Sequence, residues 1–170
     1  MIKTIEIMPV RKKFIIEEEP LELQDPKKIS ELIKKVFGNE LRKEFFYEGD
    51  KNIHFYSHES KYRGIVIVMP NIKDIATYLD IIAVDCEYKG KGLGKDLFES
   101  IINIQENPKL FWRSRVDRLA NDWYKRKSDE YKEYSTDNKT NYNLYTIGLS
   151  NNEKEKALEF VKKRQSNFIE

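Results

Sequence analysis

The spacing of apolar residues predicts a strand, a turn and a helix in the middle of the chain. Tyr78–Val84 is apolar except for Asp80, as expected of a buried strand. Apolar residues then recur at helical spacing from Leu93 to Ile102. Because two glycines lie between these segments, the pattern predicts a turn that leads from a strand end directly into a helix.

Similar patterns predict regular elements before this unit. Pro26–Phe37 is predicted as a helix, because Asp25 can cap its start, proline suits a first turn and Gly38 follows its end. Ile53–Tyr56 and Tyr62–Met69 are predicted as an antiparallel pair of strands joined by a polar turn. Met1–Ile16 indicates one or two further strands.

The elements after the central unit are shorter. Leu110–Arg115 and Leu144–Leu149 are predicted as strands. Asp129–Asn143 is rich in Ser, Thr, Asn and Lys, so it is predicted as a surface loop or a mobile flap. A last helix is expected after a cap at Asn151 or Asn152. The order of elements indicates a mixed α/β protein.

The composition narrows the classes of function. The 170 residues suit a single domain, 1–170. Basic and acidic side chains, 31 and 29 of them, are interspersed and give a net charge of +2, so no nucleic-acid partner is predicted. The chain has one cysteine, no apolar run near the ~20 residues of a membrane span and no signal-peptide core. We expect a soluble, intracellular, cytoplasmic protein without a membrane partner; the oligomeric state is not indicated.

The turn before the central helix has the chemistry of a phosphate site. It reads KGKGLGK over residues 89–95. Glycines let backbone N–H groups approach a phosphate, and a helix N-terminus adds unpaired donors and the positive end of its dipole. A Walker loop is excluded, because Lys89 stands where a glycine is needed and Asp96 replaces the magnesium-binding hydroxyl. A dinucleotide fingerprint is excluded, because Lys95 replaces its third glycine.

The same turn closely resembles motif A of the GNAT acetyltransferases. In that motif Gln or Arg, two residues, Gly, one residue and Gly or Ala follow the central strand; Lys89, Gly92 and Gly94 fill these places. The resemblance implies the GNAT fold, an α/β fold whose mixed central sheet has splayed parallel strands and flanking helices. It also implies acetyl-CoA as cosubstrate.

A second segment resembles the transferase domain of the vertebrate-type N-acetylglutamate synthases. That family has a Trp-Arg-Ser-Arg strand followed by Asn, Trp-Tyr and Ser-Asp-Gly; this chain has WRSR at 112–115, Asn121, WY at 123–124 and SD at 128–129. The family's Tyr-Leu-Asp triplet matches YLD at 78–80. The chain departs from the pattern where Ile81 replaces a substrate-binding Lys, Arg118 replaces an Asn and Glu130 replaces the Gly. These departures change contacts that are expected to hold the acceptor, so they bear on which acceptor is used. Acetyl transfer remains the expected reaction.

The resemblance implies residues for the cosubstrate. Backbone groups of Ala83 and Val84 would bind the pantetheine arm and the thioester carbonyl, and a Val84 N–H would stabilise the developing oxyanion. The N–H groups of Lys91–Lys95 would cradle the pyrophosphate. The implied cofactor-binding residues are Ala83, Val84, Lys89, Lys91, Gly92, Leu93, Gly94, Lys95 and Asn121.

Tyr124 matches the tyrosine that protonates the leaving CoA thiolate in the resembled family. Tyrosine has a reference pKa near 10, so it can donate a proton at neutral pH. The alternative is a packed aromatic residue beside Trp123. Asp80, Glu87 or a chain of waters could act as the general base. Cys86 is disfavoured as a nucleophile, because the sequence places no histidine beside it.

Arg113 and Arg115 alternate along the predicted strand, so both leave the same face and suit a carboxylate-bearing acceptor. Arg118 would join them. The alternative is an internal ion pair of either arginine with one of three carboxylates, namely Asp80, Asp117 or Asp122.

The sequence therefore predicts an acetyl-CoA-dependent N-acetyltransferase for a small-molecule amine acceptor, with L-glutamate as the first candidate. One alternative acts on a protein N-terminus, lysine or polyamine; another is a non-catalytic CoA-binding or interaction module. No metal site is predicted, because His54 and His58 fall on a predicted strand and turn, where they would stand ~13 Å apart.

Overall fold

Residues 13–169, which the computed structural model describes, form seven strands and four α-helices, with three short 3₁₀-helices between them. The strands are β1 (Glu17–Pro20), β2 (Asn52–His58), β3 (Lys61–Met69), β4 (Thr77–Val84), β5 (Leu110–Arg115), β6 (Glu130–Ser135) and β7 (Asn141–Ile147). The helices are α1 (Pro26–Phe37), α2 (Leu93–Asn103), α3 (Asn121–Lys127) and α4 (Asn151–Lys163).

The strands form one mixed sheet in the order β1-β2-β3-β4-β5-β7-β6. Neighbours are antiparallel except β4 and β5, which run parallel. The parallel pairing joins only Thr77 to Leu110 and Tyr78 to Phe111, although both strands continue beyond these residues. β4 and β5 therefore splay apart toward their C-terminal ends, as the resemblance implied.

A bulge in β4 lies where the two strands begin to diverge. Leu79 is opposite Val68 of β3 and Ile81 is opposite Ile67, so Asp80 is an extra residue without a counterpart. A bulge bends its strand and increases the local twist. It also changes which backbone groups of β4 face β5 beyond this point.

Helices cover both faces of the sheet. On one face Ile33 of α1 and Val161 of α4 belong to the apolar cores over β3 and β5. On the other face α2 packs Leu97 and Phe98 against Val66 of β3. None of the helices within residues 13–169 is long and apolar enough to cross a membrane.

The predicted helix at Pro26–Phe37 is confirmed as α1. The Asp25 carboxylate accepts a hydrogen bond from Lys27 N–H at 2.9 Å, and Gly38 ends the helix with a left-handed φ of 74°. The last helix begins at Asn151, but its N-cap is Ser150 rather than Asn151 or Asn152. Ser150 takes that place because it forms a reciprocal capping box with Glu153.

The prediction of a loop or flap over Asp129–Asn143 is wrong. Glu130–Ser135 forms β6, and β7 begins at Asn141. β6 is an edge strand in which only Tyr134 is buried, so it needs few apolar side chains. Its polar composition therefore concealed a strand.

The strands predicted within Met1–Ile16 lie largely outside the described residues, which begin at Lys13. Residues 13–16 are in no strand, and β1 begins at Glu17. The other predicted strands are present with small changes of their bounds.

Gly64 allows α2 to lie close to the sheet. A Cβ atom at Gly64 would come within 2.8 Å of both Leu93 Cδ2 and Leu97 Cδ1. Gly64 pairs with Val84, the last residue of β4. The missing side chain therefore brings the first turns of α2 beside the end of β4, where the glycine-rich turn begins.

We predict that Gly64→Ala lowers the free energy of unfolding by about 1–3 kcal/mol, because the methyl group overfills this contact. Urea denaturation would measure the change. The control is Gly94→Ala, whose Cβ would meet only Val84 Cγ2, at 3.6 Å, and which should keep wild-type stability. A Gly64→Ala protein as stable as the wild type would contradict the close packing.

Candidate active site

A cavity of about 420 Å³ occupies the gap between β4 and β5. Its walls come from both strands, from the start of α3 and from residues 166–169. The three predicted acceptor-binding arginines and Tyr124 meet here, whereas none of the predicted cosubstrate-binding residues lines the cavity. The residues singled out in the sequence that line it are Arg113, Arg115, Arg118 and Tyr124, together with Asp80 and Ile81.

The open edge of β4 presents backbone amides to this gap. Asp85 N–H donates to Arg63 O of β3 at 2.8 Å. Because pairing alternates along antiparallel strands, Ala83 also directs its N–H toward β3, whereas Ile82 and Val84 direct theirs toward β5. Ile82 lines the cavity. Val84, the next residue of β4 whose N–H is directed away from β3, lies beyond the cavity toward α2. The sequence had indicated Ala83 and Val84 but not Ile82. The prediction for Ala83 is wrong, because its N–H is directed toward β3 rather than the gap.

The glycine-rich turn connects this edge to α2. Gly90 and Gly92 have left-handed φ angles of 75° and 87°, which favour glycine. Asp96 N–H is bonded to Gly92 O, so the N–H groups of Leu93, Gly94 and Lys95 belong to the first helical turn, before the intrahelical bonds begin. These groups and the helix dipole suit an anion at the end of β4.

Three lysines flank the same turn. Lys89 and Lys91 are exposed, and the Lys91 Nζ lies 5.4 Å from the centre of the Tyr88 ring. Lys95 is also exposed and lies 3.7 Å from Glu99. An exposed ion pair of this kind is weak, so Lys95 remains available to a phosphate.

Tyr124 lines the cavity from α3 and is buried. Its ring packs against Trp112 and Tyr145, with centroids 5.7 and 5.4 Å away. Burial raises the pKa of the Tyr124 hydroxyl well above its usual value, so the group keeps its proton at neutral pH. Trp112 also lines the cavity, and its buried Nε1–H has no hydrogen-bond partner among residues 13–169.

Arg113 lines the cavity but also caps α4. Its guanidinium donates to the carbonyl oxygens of Val161 at 3.0 Å, Arg164 at 2.9 Å and Gln165 at 2.7 Å. A cation at a helix C-terminus satisfies unpaired carbonyls and interacts favourably with the dipole. Arg113 therefore holds the end of α4 against β5.

Arg115 and Arg118 have fewer internal partners. Arg115 pairs with Asp117 at 2.9 Å, one of the three ion-pair alternatives, but both side chains are about half exposed, at 49% and 60%. Such a pair contributes little to stability, so Arg115 can release Asp117 and bind a ligand instead. The guanidinium group of the half-buried Arg118 makes no hydrogen bond or ion pair with residues 13–169. These two arginines are the cations best placed for an anionic acceptor.

Asp80, at the bulge, is held by three donors. Its side chain is fully buried and contacts Lys51 Nζ at 3.0 Å, Arg164 Nη2 at 2.8 Å and Asn167 Nδ2 at 2.9 Å. Burial lowers the pKa of Lys51, an effect that Asp80 opposes. Because both carboxylate oxygens are engaged, Asp80 stabilises the bulge and is poorly placed to act as a general base.

Residues 164–169, which we name the strap, close one end of the cavity. The strap lies beside residues 40–42, where Arg42 N–H donates to Asn167 O at 2.9 Å and Ile169 N–H donates to Glu40 O at 2.8 Å. Asp80 and Arg113 hold it from the sheet. The sequence contains no local signal for this arrangement.

The side chain of Asn121 makes hydrogen bonds to groups of the protein itself. Its Nδ2 donates to Arg115 O at 2.7 Å and Arg118 O at 2.9 Å, and its Oδ1 accepts from the Tyr145 hydroxyl at 2.6 Å. Asn121 therefore organises the connection between β5 and α3 and does not line the cavity.

The other candidates lie apart from the cavity. Cys86 is exposed, as is Glu87, which is 3.7 Å from Arg63. His54 is buried and bonded to Ser100 at 3.0 Å, whereas His58 is exposed. Residues 13–169 contain no cluster of three or more His, Cys, Asp or Glu side chains suited to a metal ion.

The family model described as NAT, the N-acetyltransferase of N-acetylglutamate synthase, matches residues 15–166. The chain belongs to this N-acetyltransferase family. The cavity is therefore interpreted as the site of an N-acetyltransferase of this family.

Two curated relatives show the extent of the likeness. The chain is 29% identical over 150 residues to mitochondrial N-acetylglutamate synthase of Danio rerio, covering 87% of this chain and 27% of the relative. It is 31% identical over 140 residues to a mitochondrial amino-acid acetyltransferase of Vanderwaltozyma polyspora, covering 76% of this chain and 24% of the relative. The chain thus spans about a quarter of the length of these relatives.

Solved structures confirm the predicted GNAT fold. The ribosomal-protein-S18-alanine N-acetyltransferase of Escherichia coli superposes with a TM-score of 0.61 at 18% identity, covering 80% of this chain and 95% of that chain. A GNAT family acetyltransferase of Elizabethkingia anophelis, solved with acetyl-CoA bound, gives a TM-score of 0.54 at 16% identity, covering 79% and 98%. At these identities the comparison concerns the fold.

We predict that CoA raises the melting temperature of this N-acetyltransferase family member and that Gly92→Glu abolishes the shift, because a carboxylate at the start of α2 would repel the pyrophosphate. Thermal scans with and without CoA measure the effect. Gly92→Ala imposes the same left-handed strain without a charge and should keep most of the shift. Calorimetry showing wild-type CoA affinity in Gly92→Glu would remove the phosphate assignment.

Proposed function

We propose that this chain is an acetyl-CoA-dependent N-acetyltransferase whose acceptor is a small acidic amino acid, with L-glutamate the first to test. One observation carries the proposal. A single cavity between β4 and β5 is lined by a β4 residue with an outward N–H, a buried Tyr124 and the arginines 113, 115 and 118. A backbone donor, a proton donor and anion-binding cations are the groups that this transfer requires.

The open edge of β4 and the start of α2 would hold the cosubstrate. The N–H groups of Ile82 and Val84 would pair with its amide arm and carbonyl, as a neighbouring strand would. The first turn of α2 with Lys89, Lys91 and Lys95 would hold its pyrophosphate. Bound acetyl-CoA supplies an acetyl thioester, which the acceptor's neutral amine attacks.

Ile82 and Val84 would bind different parts of the cosubstrate. Ile82 lines the same cavity as Tyr124, so its N–H is suited to the thioester carbonyl oxygen, where negative charge develops. Val84 is further from the cavity and suits the pantetheine arm. Both amides belong to a strand held rigidly by β3, so little reorganisation is needed.

Tyr124 would supply the proton to the departing thiolate. Its pKa is raised by burial, so the hydroxyl is protonated over the whole neutral range. Tyr124 lines the same cavity as Ile82 on the open edge of β4. No described carboxylate is placed as a clear general base, and water can carry the proton from the acceptor amine.

The acceptor would lie between the arginines and the strap. Arg115 and Arg118 would bind its carboxylates, and Arg113 would contribute charge while it holds α4. The strap and the adjacent Phe37 and Asn39 limit the room at this end of the cavity. A small amino acid fits this boundary better than a peptide chain, which must continue past the site.

A thiol-release assay with acetyl-CoA tests the proposal directly. The panel would contain glutamate, aspartate, glutamine, lysine, a polyamine and peptides with free N-termini. Glutamate is expected to give the highest rate. A peptide preferred by about an order of magnitude would support the alternative acceptor class, and no release with any acceptor would support a CoA-binding module.

We predict that Tyr124→Phe lowers turnover by about 10²- to 10⁴-fold, because the proton donor is lost, while CoA binding changes little. Steady-state kinetics and calorimetry separate the two effects. Tyr131→Phe, on the exposed side of β6, is the matched control and should retain wild-type turnover. Wild-type turnover in Tyr124→Phe would leave Tyr124 with a packing role.

We predict that Arg118→Ala raises the KM for glutamate by about tenfold or more, because the half-buried cation is lost, while the KM for acetyl-CoA changes little. Arg126→Ala removes an exposed arginine of α3 that does not line the cavity, so it should change neither KM. An unchanged glutamate KM in Arg118→Ala would exclude Arg118 from the acceptor site.

A further inference from the structure

The connection from β5 to α3 carries groups that the proposed reaction needs. Arg115 is the last residue of β5, Arg118 lies in the connection itself and Tyr124 is on α3. All three residues line the cavity. The geometry of the site therefore depends on what fixes this short segment of backbone.

Apolar packing does not fix the connection. Leu119 is 98% exposed and Val116 is 40% exposed, so neither side chain anchors the segment in a core. Val116 N–H donates to Asn141 O at 3.1 Å, which holds the start of the connection beside β7. α3 has seven residues, a length at which a helix has little stability of its own. The segment therefore needs further polar anchors to keep one conformation.

Asn121 supplies such anchors. It is 6% exposed, and its Nδ2 donates to Arg115 O at 2.7 Å and to Arg118 O at 2.9 Å. These carbonyls belong to the two arginines proposed to bind the acceptor. Asn121 is also the first residue of α3, about one helical turn before Tyr124. One side chain thus ties together the backbone that carries the acceptor-binding cations and the proton donor.

The orientation of the Asn121 amide is fixed from β7. Carbonyl oxygens only accept hydrogen bonds, so Nδ2 must face Arg115 and Arg118 and Oδ1 must face Tyr145. The Tyr145 hydroxyl donates to Oδ1 at 2.6 Å and accepts from Asn143 Nδ2 at 3.2 Å. Burial raises the pKa of Tyr145, so the hydroxyl keeps this proton at neutral pH. The amide is therefore held by a buried relay that begins on the sheet.

Tyr145 also contacts the proposed proton donor directly. The centre of its ring lies 5.4 Å from the centre of the Trp112 ring, on which it stacks, and 5.4 Å from that of the Tyr124 ring. The hydroxyl of Tyr145 thus holds Asn121, while its ring packs against Tyr124.

We propose that Asn121, oriented by Tyr145, is a positioning residue for acetyl transfer. It sets the placement of the Tyr124 hydroxyl and of the two acceptor-binding arginines relative to the open edge of β4. Its side chain does not line the cavity, so it acts through these groups. The inference rests on the proposed function. A misplacement of about 1 Å can cost about 10²-fold in rate, so a side chain that fixes this backbone affects turnover without touching the substrate.

A double-mutant cycle between Asn121 and Tyr124 separates positioning from folding. Asn121→Ala should lower kcat with glutamate by about tenfold or more, because the proton donor is displaced. In the Tyr124→Phe background the same change should lower kcat by less than about twofold, because the displaced hydroxyl is already absent. Calorimetry should show glutamate binding to the CoA-saturated protein weakened by about fivefold or more in Asn121→Ala, with CoA affinity within about twofold of wild type.

Gln105→Ala is the matched control. Gln105 also holds a connection at one end of β5, because its side chain donates to Ile101 O at 3.0 Å and accepts from Lys109 N–H at 3.1 Å. It does not line the cavity, so its loss should leave kcat and glutamate affinity unchanged even where stability falls. If Asn121→Ala does not fold, Tyr145→Phe takes its place in the cycle, because it removes the hydroxyl that orients Asn121 and keeps the packed ring. The expected loss of kcat is then about threefold or more.

An equal loss of kcat in the wild-type and Tyr124→Phe backgrounds would overturn the inference and leave Asn121 with a structural role. Wild-type kcat in a folded Asn121→Ala protein would overturn it as well. A wild-type protein that releases no thiol with any acceptor, while still binding CoA, would contradict the proposed function itself, and the inference would fall with it.

Discussion

The short parallel pairing between β4 and β5 is the constraint on which the site depends. Two residue pairs hold the strands together, and beyond them the strands splay. The bulge at Asp80 turns the amides of Ile82 and Val84 toward the gap. A strand edge within a protein normally finds a partner for its backbone groups. Here we propose that a ligand in the cavity pairs with the N–H of Ile82 and completes the sheet.

The acceptor end of the cavity depends on charges that bind the strap to the sheet. Asp80 contacts Arg164 and Asn167, and Arg113 donates to the carbonyls at the end of α4. Breaking a buried ion pair by removing one partner typically costs about 3–5 kcal/mol, so these groups are bound into the fold. Arg115 and Arg118 are less engaged, which leaves them for a ligand. β5 thus carries both Arg113, which holds α4, and Arg115, which we propose as a ligand for the acceptor.

Local sequence patterns predicted what depends on neighbouring residues along the chain. The cap at Asp25 and the glycine turn before α2 follow from spacing, and both agree with the structure. Tyr124 was indicated by the family resemblance, and it lines the cavity. β6 was missed because an exposed edge strand lacks an apolar pattern. The roles of Arg113, Asn121 and Asn167 depend on residues far apart in sequence, so no spacing could reveal them.

The most direct test of the account is amide hydrogen exchange at β4, resolved by NMR with and without saturating acetyl-CoA. The open edge predicts that binding slows exchange at Ile82 and Val84, because these N–H groups gain a partner. Ala83 serves as an internal reference, because its N–H already faces β3 and should change much less. Unchanged exchange at both Ile82 and Val84, in a protein shown to be saturated, would contradict the claim that the cosubstrate completes the sheet between β4 and β5.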